Sequence, residues 1–283
     1  MEGNPDDLLL DKLEHLKLLG INRLSIGVQS FFDDDLQKLN RSHNANQAEQ
    51  VIRDAQYVGF NNMSIDLIYG IPGMSDQKWL QNIQKVIDFD IPHVSAYALT
   101  VEPHTALAWQ ITHRKFPKVS EEQSARQFYM LREKLITHGF EHYEISNFAK
   151  NYFKSKHNSH YWQNVPYLGL GPAAHSYKGN QRRWNVANNA LYIKKIKTDE
   201  YYELETLTKK NIFNELLMTG LRTSNGVDLN RIKSLGKEFE IYLDKNIAKY
   251  VGNQQLIIQN NFLKASEDSL FIIEGIISDL FMV

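Results

Sequence analysis

Apolar strands alternate with amphipathic helices along the first hundred residues, with short turns between them. Two of the helical segments end at a glycine, Gly20 and Gly59, which is a common helix stop. Because consecutive parallel strands need a crossover connection, usually a helix, this alternation predicts a parallel sheet flanked by helices. The predicted strands are 22–29, 62–69 and 93–99, and the predicted helices are 5–19, 46–58 and 75–89.

Polar side chains lie at or near the carboxyl ends of these three strands, which is the edge where parallel α/β folds bind ligands. Asp66 stands inside an otherwise apolar strand, where a charge is costly unless it is paired or used. We therefore expect Asp66 to be functional rather than merely paired. The polar residues at this edge are Gln29, Ser30, Asp66, Tyr69, Tyr97, Thr100 and Glu102.

The pattern changes near residue 200, where residues 198–205 are polar and acidic enough to indicate a boundary between domains 1–200 and 201–283. Beyond it, helices precede a hairpin, which is the order of a winged-helix-like domain. Its balanced charge favours a lid or packing role over nucleic-acid binding. The further predicted elements are a helix at 120–138 opened by a Ser120–Gln123 capping box, a strand at 140–148, an extended segment at 183–186, helices at 188–197, 207–221, 228–234, 236–250 and 266–281, and a hairpin of 256–259 with 262–265.

A stretch rich in histidine and aromatic residues runs from residue 157 to 176. It contains His157, His160 and His175, and imidazoles beside flat aromatic rings suit a planar or metal-bearing ligand. Two close glycines allow backbone to approach a ligand or another strand. A core turn with satisfied histidines is the alternative, and the residues alone leave both interpretations open.

Composition excludes several classes of function. The chain has 32 basic and 33 acidic residues, and its net charge of −1 argues against a nucleic-acid footprint. No apolar run approaches the roughly 20 residues that span a bilayer, and no secretory leader is visible, so we expect a cytoplasmic protein without a transmembrane segment. Cysteine is absent, so these residues offer no disulfide, thiolate nucleophile, zinc–thiolate site or cysteine-bound iron–sulfur cluster.

Several segments, in the right order, resemble the radical S-adenosylmethionine (SAM) enzymes of the oxygen-independent coproporphyrinogen III oxidase family. These segments are 23–31, 39–43 and 65–73. Within that family, further segments resemble the haem chaperone (HemW-like) branch, and the resemblance covers essentially the whole chain. The branch segments are 97–103, 143–148, His157-Asn-Ser-His-Tyr-Trp162 and 169–176, and segment 215–227 extends the family resemblance into the C-terminal part.

The resemblance implies a partial (incomplete) radical-SAM-type (β/α) barrel with a C-terminal helical, winged-helix-like domain. Family members bind a 4Fe–4S cluster through a Cys-x-x-x-Cys-x-x-Cys loop, and SAM completes its coordination. Glu2-Gly-Asn-Pro5 matches a later family segment, so we expect the cluster loop, a glycine segment and the first two to three strands to be absent here. The cluster ligands would be absent with them, and the unpaired sheet edge would invite either a homodimer or aggregation.

By resemblance, the SAM-binding residues are Glu2, Gln29, Arg41, Asp66 and Ala98. Carboxylates and an amide can hold the amine and hydroxyls of SAM, Arg41 can hold its carboxylate, and backbone at Ala98 can meet the adenine. Without the resemblance, Gln29 and Arg41 would be interpreted as a strand-end cap and a surface ion pair.

For haem, the resemblance implicates the His-Asn-x-x-Tyr-Trp motif, which here is His157, Asn158, Tyr161 and Trp162. A neutral imidazole is a suitable axial ligand, and His157 is the candidate iron ligand, although the sequence does not decide between it, His160 and His175. The implied partners are haem and an unidentified haem-acceptor protein.

Three functions stay open on the sequence. The first is a haem chaperone-like radical SAM protein that binds haem and SAM. The second is an oxygen-independent coproporphyrinogen III oxidase, which converts two propionates of its substrate to vinyl groups through a SAM-derived radical. The third is an inactive barrel fragment. No catalytic residue is assigned, and no metal ligand other than His157 for haem iron.

Overall fold

The computed structural model describes residues 1–198 and 200–283, and it divides into two units, Met1–Lys154 and Ser155–Val283. The described residues of the first unit form a six-stranded sheet. Its strands are β1 (Glu2–Gly3), β2 (Leu24–Gln29), β3 (Met63–Tyr69), β4 (His93–Ala98), β5 (Glu141–Glu144) and β6 (Asn147–Ala149). Its helices are α1 (Leu10–Leu18), α2 (Asp33–Lys38), α3 (Ala45–Tyr57), α4 (Asp76–Asp88), α5 (Ala106–Thr112) and α6 (Glu121–Thr137), and a 3-10 turn covers Pro5–Asp7.

The strand order is β1-β2-β3-β4-β6-β5, and β1 to β4 are parallel. The predicted parallel sheet is therefore confirmed for its three main strands. β6 runs antiparallel to both β4 and β5, so the single strand predicted at 140–148 is wrong: a turn at residues 145–146 makes it a hairpin. Since β1 and β5 end the order, the sheet is not closed among the described residues, as expected of a partial barrel.

Alternate residues of the central strands form a buried apolar row, which includes Leu24, Ile26, Ile65 and Leu67. Tyr69 continues this row and packs against Trp79 of α4 and Phe128 of α6, so helices cover this side of the sheet. Full burial of a leucine or isoleucine side chain stabilises the fold by about 1.5–3 kcal/mol. The expectation that Tyr69 belongs to a ligand-binding edge is therefore wrong, because its ring is part of the core.

Ser30 also belongs to the core rather than to a site. Its hydroxyl is fully buried and donates to Asp35 Oδ2 at 3.1 Å, next to Asn82. The preceding residue, Gln29, has φ of 66°, in the left-handed region that non-glycine residues seldom adopt. This reversal of the chain turns Ser30 toward the helices.

Helix α6 begins at Ser120, whose hydroxyl accepts a hydrogen bond from the backbone N–H of Gln123. The Gln123 side chain does not return to Ser120. It donates instead to the carbonyls of Ile71 and Met74, at 3.1 and 3.0 Å. The predicted capping box is thus half formed, and its second member ties α6 to the turn after β3.

The second unit contains two three-stranded sheets among the described residues, ordered β7-β8-β9 and β10-β12-β11. Their strands are β7 (His175–Lys178), β8 (Gln181–Asn185), β9 (Tyr202–Thr206), β10 (Val227–Asp228), β11 (Leu256–Gln259) and β12 (Phe262–Ala265). The helices are α7 (Lys156–Trp162), α8 (Asn189–Lys195), α9 (Lys209–Gly220), α10 (Leu229–Leu235), α11 (Lys237–Gly252) and α12 (Ile273–Leu280), with a 3-10 turn at Glu267–Ile272.

The hairpin predicted at 256–265 is confirmed by β11 and β12, which pair in antiparallel register. The predicted domain boundary at residue 200 lies inside this second unit, because β9 pairs along the length of β8. The polar stretch 198–205 therefore leads into an edge strand, whose outward positions tolerate charge. Asp199, within that stretch, lies outside the described residues.

Candidate functional site

The side of the first sheet opposite the helices is polar, and we call it the polar face. Strands alternate their side chains between two faces, so residues two apart share a side. The strands place only short or polar side chains on this side, apart from Ile68. Strands β1 to β4 contribute Glu2, Ser25, Gly27, Ser64, Asp66, His93, Ser95 and Tyr97 to the polar face. The register shifts after Ile26, so that Gln29 pairs with Leu67, but its side-chain amide reaches the polar face beside Gly27.

Asp66 is partly buried on this face, and burial raises the pKa of its carboxyl to about 6. Hydrogen bonds from Ser95 and from Ser25, the latter at 3.2 Å, oppose that shift. The negative charge of Glu2 raises the pKa further, and Arg23 lowers it slightly. The carboxylate is therefore poorly compensated, and a cationic or hydroxyl-bearing ligand would stabilise its charge.

A hydrogen-bonded chain runs from Asp66 across the sheet to β5. Ser95 lies 3.3 Å from Ser64 (Oγ to Oγ), Ser64 lies 2.7 Å from His93 Nδ1, and His93 Nε2 lies 2.8 Å from the Tyr143 hydroxyl. Burial lowers the pKa of His93 to about 3, with a smaller contribution from the charge of Arg23, so the imidazole is neutral at pH 7.

The direction of this chain follows from its charged end. An ionised carboxylate only accepts, so Ser95 donates to Asp66 and in turn accepts from Ser64. Ser64 then accepts from Nδ1–H of His93, which leaves Nε2 to accept from the Tyr143 hydroxyl. Five side chains are thereby held in one arrangement, and Asp66 is fixed on the polar face.

Gln29, Arg41 and Asn4 converge above Gly27. Arg41 Nη2 donates to Asn4 Oδ1 at 2.7 Å and approaches the Gly27 carbonyl at 3.4 Å. A Cβ on Gly27 would lie 2.9 Å from Gln29 Nε2 and 3.2 Å from Arg41 Nη2. Among the residues that the structure describes, no carboxylate forms an ion pair with Arg41, so the surface ion pair considered from the sequence is not present.

β2 connects Asp66 to the side chains above Gly27. Ser25 contacts Asp66, and Gly27 lies two residues further on the same side. Glu2 pairs in register with Ser25 and lies close enough to Asp66 to raise its pKa. Ala98 ends β4 opposite Tyr69, and its carbonyl accepts from Thr100 Oγ1 at 3.3 Å. The structure thus places Glu2, Gln29 and Asp66 on the polar face, with Arg41 beside it and Ala98 at its edge.

Sequence reasoning missed Ser25, Ser64, His93, Ser95 and Tyr143. A signal was available for four of them, because they alternate with buried apolar residues along β2, β3 and β4. Strict alternation marks a strand whose two faces differ, rather than one that is apolar on both sides. Tyr143 gave no such signal, since its contact with His93 spans 50 residues of sequence.

The His-Asn-x-x-Tyr-Trp motif forms helix α7, which is capped by the Ser155 hydroxyl. Helical spacing places residues four apart on one side. His157 therefore meets Tyr161, and their ring centroids lie 4.8 Å apart, edge to face. Asn158 and Trp162 form the adjacent pair. His157 is exposed, so a ligand can reach its imidazole.

The other two histidines of the stretch are exposed as well. His160 lies on α7, and His175 lies on β7 with its ring 6.2 Å from that of Trp184. The alternative interpretation from sequence, a core turn with satisfied histidines, is therefore wrong. The structure brings His157 together with the motif aromatics, whereas His175 lies on a strand beside a different ring.

Aromatic side chains connect α7 to the sheet β7-β8-β9. Tyr161 contacts Tyr167 edge to face at 4.6 Å, and Tyr167 lies 6.3 Å from Tyr177 of β7. These rings and Trp162 line a cavity of about 150 Å³. The indole N–H of Trp162 is buried and has no hydrogen-bond partner among the described residues, and the Arg222 guanidinium lies 5.5 Å from its ring centre.

The glycine-rich turn before β7 packs against the protein itself. A Cβ on Gly169 would lie 2.0 Å from the backbone oxygen of His175, so only glycine fits. The Gly169 N–H donates to Ser176 Oγ at 2.9 Å, and Asn185 Nδ2 donates to the Gly171 carbonyl at 2.8 Å. Of the two uses expected for these glycines, close approach to a strand is the one observed at Gly169.

Within the described residues, no helix is both long and apolar enough to cross a membrane. Those residues also include no group of three or more histidine, aspartate or glutamate side chains placed to hold a metal ion.

Comparison with known proteins gives two matching family models. The Radical SAM superfamily model matches residues 2–86, and the HemN C-terminal domain model matches residues 207–271. The chain is 38% identical over 233 residues to the heme chaperone HemW of Bacillus subtilis, covering 82% of this chain and 62% of the relative. It is 32% identical over 258 residues to the heme chaperone HemW of Lactococcus lactis, covering 91% of this chain and 68% of the relative.

The fold is similar to that of the coproporphyrinogen III oxidase HemN from Escherichia coli, described as a radical SAM enzyme. The TM-score is 0.76 with 19% sequence identity, and the match covers 99% of this chain and 69% of that one. At this identity the likeness concerns the fold, and it confirms the expected radical-SAM-type barrel architecture. The chain spans 62% of the length of the Bacillus relative and 68% of the Lactococcus relative.

Proposed function

Because the chain belongs to the radical SAM family that includes the haem chaperones named HemW, we propose that it binds haem on α7 and SAM on the polar face. The observation that carries the proposal is the exposed His157–Tyr161 pair on one side of α7. It presents an imidazole and a ring edge to solvent in a segment where the sequence motif, the helix and the aromatic contacts coincide.

The residues of α7 fit a haem group on two further grounds. The buried indole N–H of Trp162 has no hydrogen-bond acceptor among the described residues, and an unsatisfied buried donor costs about 1–3 kcal/mol unless a ligand or water accepts from it. Asn158 lies one turn before it on the same side of the helix. Haem would supply the iron that His157 ligates, while Tyr161 and Trp162 would flank the site.

The polar face fits SAM by charge. The sulfonium and amino groups of SAM are cationic, and Asp66 with Glu2 supplies the compensating carboxylates. Among the described residues, no carboxylate pairs with the guanidinium of Arg41, which therefore has N–H groups to offer to the carboxylate of SAM. The missing Cβ of Gly27 lets the Gln29 amide and the Arg41 guanidinium approach β2 closely, and backbone at Ala98 would meet the adenine.

For a 4Fe–4S cluster the residues present do not fit. The 283 residues include no cysteine, and the described residues include no group of three or more histidine, aspartate or glutamate side chains that could replace thiolates. The proposal therefore concerns binding of haem and SAM. Since the haem site is exposed on α7, we further propose that a haem-acceptor protein can reach the bound haem there.

Titration with haem tests the first half of the proposal. We expect the His157→Ala variant to give a Soret band at a different position from that of the unchanged chain, because an axial ligand is lost. His160→Ala is the matched control, since His160 is exposed on the same helix, and its spectrum should be unchanged. Identical spectra for His157→Ala and the unchanged chain would remove the role assigned to the motif.

Calorimetric titration with SAM tests the second half. We expect Arg41→Gln to weaken SAM binding about tenfold, which corresponds to the loss of one charge-assisted hydrogen bond. Arg53→Gln is the control, because Arg53 is exposed on α3 and pairs with Glu49. Equal affinities of the two variants would contradict the assignment of Arg41 and leave the haem result unaffected.

A further inference from the structure

A second cavity in the C-terminal unit, of about 530 Å³, lies on one side of the sheet β7-β8-β9. Its volume is within the range of small-molecule sites. The apolar part of its lining comes from segment 166–168, Tyr202 and Leu204. Leu168 and Leu204 are 66% and 54% exposed, so the cavity is open to solvent and its apolar lining is accessible.

The strand register explains which side chains reach this cavity. Ser176, Arg183 and Leu204 lie side by side across the three strands, so they point to the same side of the sheet. Lys178, two residues after Ser176, joins them. An isolated antiparallel bridge between Tyr167 and Tyr177 holds segment 166–168 beside β7, where it lines the cavity together with the three strands. The cavity therefore brings two cations, Lys178 and Arg183, to an apolar floor.

Neither cation pairs with an acidic residue in the part of the chain that the structure describes. Among the described residues, no carboxylate forms an ion pair with Lys178 or Arg183, and the cavity lining contains no aspartate or glutamate. The Arg183 guanidinium stacks on Tyr202 at 4.6 Å from its ring centre, which fixes the group and leaves its N–H donors free. Arg182, the preceding residue, points to the other side and pairs with Glu215 at 2.5 Å.

We propose that this cavity, which we call the carboxylate pocket, binds the carboxylate-bearing edge of a porphyrin. The proposal rests on the haem-binding function proposed above and names a site for the porphyrin carboxylates, which the α7 motif does not provide. A porphyrin such as haem joins a flat apolar ring to two carboxylates on one edge. Lys178 and Arg183 complement those carboxylates, while Leu168, Tyr202 and Leu204 contact the ring.

Tyr167 stands between the carboxylate pocket and the motif, because it lines the pocket and also contacts Tyr161 of α7, which in turn contacts His157. Tyr161 and Trp162 line the smaller cavity together with Arg182, on the side of the sheet opposite Arg183. The carboxylate pocket and the motif are therefore neighbouring sites that share Tyr167. The pocket holds two cations over an apolar floor, and no carboxylate of the described residues pairs with either cation. This amphipathic character selects for an amphipathic anion rather than for a neutral or purely polar ligand.

The probe that isolates this pocket is metal-free protoporphyrin IX, because it has the carboxylates but no iron for His157 to ligate. Fluorescence titrations of the full chain should give about tenfold weaker binding for Arg183→Gln and severalfold weaker binding for Lys178→Gln. Lys194→Gln is the matched control, since Lys194 lies on α8 outside the pocket, and its affinity should equal that of the unchanged chain. Thermal unfolding of each variant verifies that it is folded.

Two further arms separate this proposal from the function on which it rests. His157→Ala should keep its affinity for metal-free protoporphyrin IX, even though its haem spectrum changes. The dimethyl ester of the porphyrin, which lacks free carboxylates, should bind no more weakly to Arg183→Gln than to the unchanged chain. Equal protoporphyrin IX affinities for Arg183→Gln, Lys178→Gln and the unchanged chain, or no binding at all, would overturn the carboxylate pocket. An unchanged haem spectrum of His157→Ala would overturn the proposed iron ligand alone.

Discussion

Ser25 on β2 donates a hydrogen bond from its hydroxyl to Oδ1 of Asp66 on β3, over 3.2 Å. This bond and the one from Ser95 favour the ionised carboxyl, but burial outweighs both and raises the pKa to about 6. A carboxyl with a folded-state pKa above its unfolded value of 3.8 binds its proton more tightly in the folded chain. Its stabilising contribution is therefore present below about pH 4 and is lost as the pH rises through about 6.

We accordingly predict that Asp66→Asn stabilises the chain at neutral pH. The pKa difference corresponds to at most about 3 kcal/mol, and partial exposure reduces the expected gain in the free energy of unfolding to about 1–2 kcal/mol near pH 7.5. The gain should disappear near pH 4, where both side chains are neutral. Urea denaturation at the two pH values measures this.

Asp88→Asn provides the control, because Asp88 is exposed at the end of α4. It should change the free energy of unfolding by no more than about 0.5 kcal/mol at either pH. If Asp66→Asn were as stable as the unchanged chain near pH 7.5, burial of an uncompensated charge would be the wrong account of Asp66. Asp66→Asn should also bind SAM more weakly, because the carboxylate that destabilises the folded chain is the group proposed to bind SAM.

Removal of the Tyr143 hydroxyl should weaken the hydrogen-bonded chain at its far end. Tyr143→Phe leaves Nε2 of the buried His93 without a donor, which costs about 1–3 kcal/mol. Tyr57→Phe should be neutral, because Tyr57 is 81% exposed on α3. Urea denaturation near pH 7 compares the two variants, and equal stabilities would mean that the His93–Tyr143 bond contributes nothing.

The pH dependence of His93 has the opposite sign to that of Asp66. Its folded-state pKa of about 3 lies below the ordinary 6.5, so the folded chain favours the neutral imidazole. Its contribution to stability is present above about pH 6.5 and is lost as the pH falls toward 3. Because the two pKa shifts have opposite signs, their effects on stability can be separated. We predict that His93→Gln removes the fall in the free energy of unfolding that His93 causes below about pH 6.5, and that it keeps the pH dependence that Asp66 causes between about pH 4 and 6.

Asp66 could be recognised from the sequence because a carboxylate in an apolar strand has few structural explanations. Its partners could not be assigned in the same way, since serines and a buried histidine are ordinary core residues. Only the register of β2, β3 and β4 shows that Ser25 and Ser95 lie on either side of Asp66. Tyr69 and Ser30 were misplaced for the related reason that proximity to a strand end does not decide which face a side chain occupies.

The residues of the α7 motif were identified from the sequence, but which of them are neighbours in space became clear only from the helix that they form. Four-residue separation makes His157 and Tyr161 neighbours, a relationship that requires knowledge of the helix. Lys178 and Arg183 gave no sequence signal, because two cations among 32 basic residues stand out only once the structure shows that no carboxylate of the described residues pairs with them. The edge strand β9 was hidden by its charged outward positions, which resemble those of a linker.

A substitution at Gly27 can disturb ligand binding by Gln29 and Arg41 while leaving the stability of the fold almost unchanged. In Gly27→Ala the new methyl would lie 2.9 Å from Gln29 Nε2 and 3.2 Å from Arg41 Nη2, which are ends of flexible side chains that can move. The free energy of unfolding should fall by less than about 1 kcal/mol, since no backbone is displaced. SAM affinity should fall about tenfold in calorimetric titration, as for loss of one charge-assisted hydrogen bond. Unchanged affinity would place the SAM carboxylate elsewhere.

Gly169→Ala should have the reverse outcome, a large loss of stability that precedes any effect on binding. The new Cβ would lie 2.0 Å from the backbone oxygen of His175, and neither atom belongs to a movable side chain. β7 must shift or separate from the turn, which costs about 1–3 kcal/mol or more. Gly252→Ala is the control, because its Cβ would meet nothing within 4 Å at the end of α11, and it should be neutral or slightly stabilising. Urea denaturation followed by tryptophan fluorescence compares the two, and equal stabilities would show that the turn can move away from β7 at no cost, so that close packing would not explain a glycine at position 169.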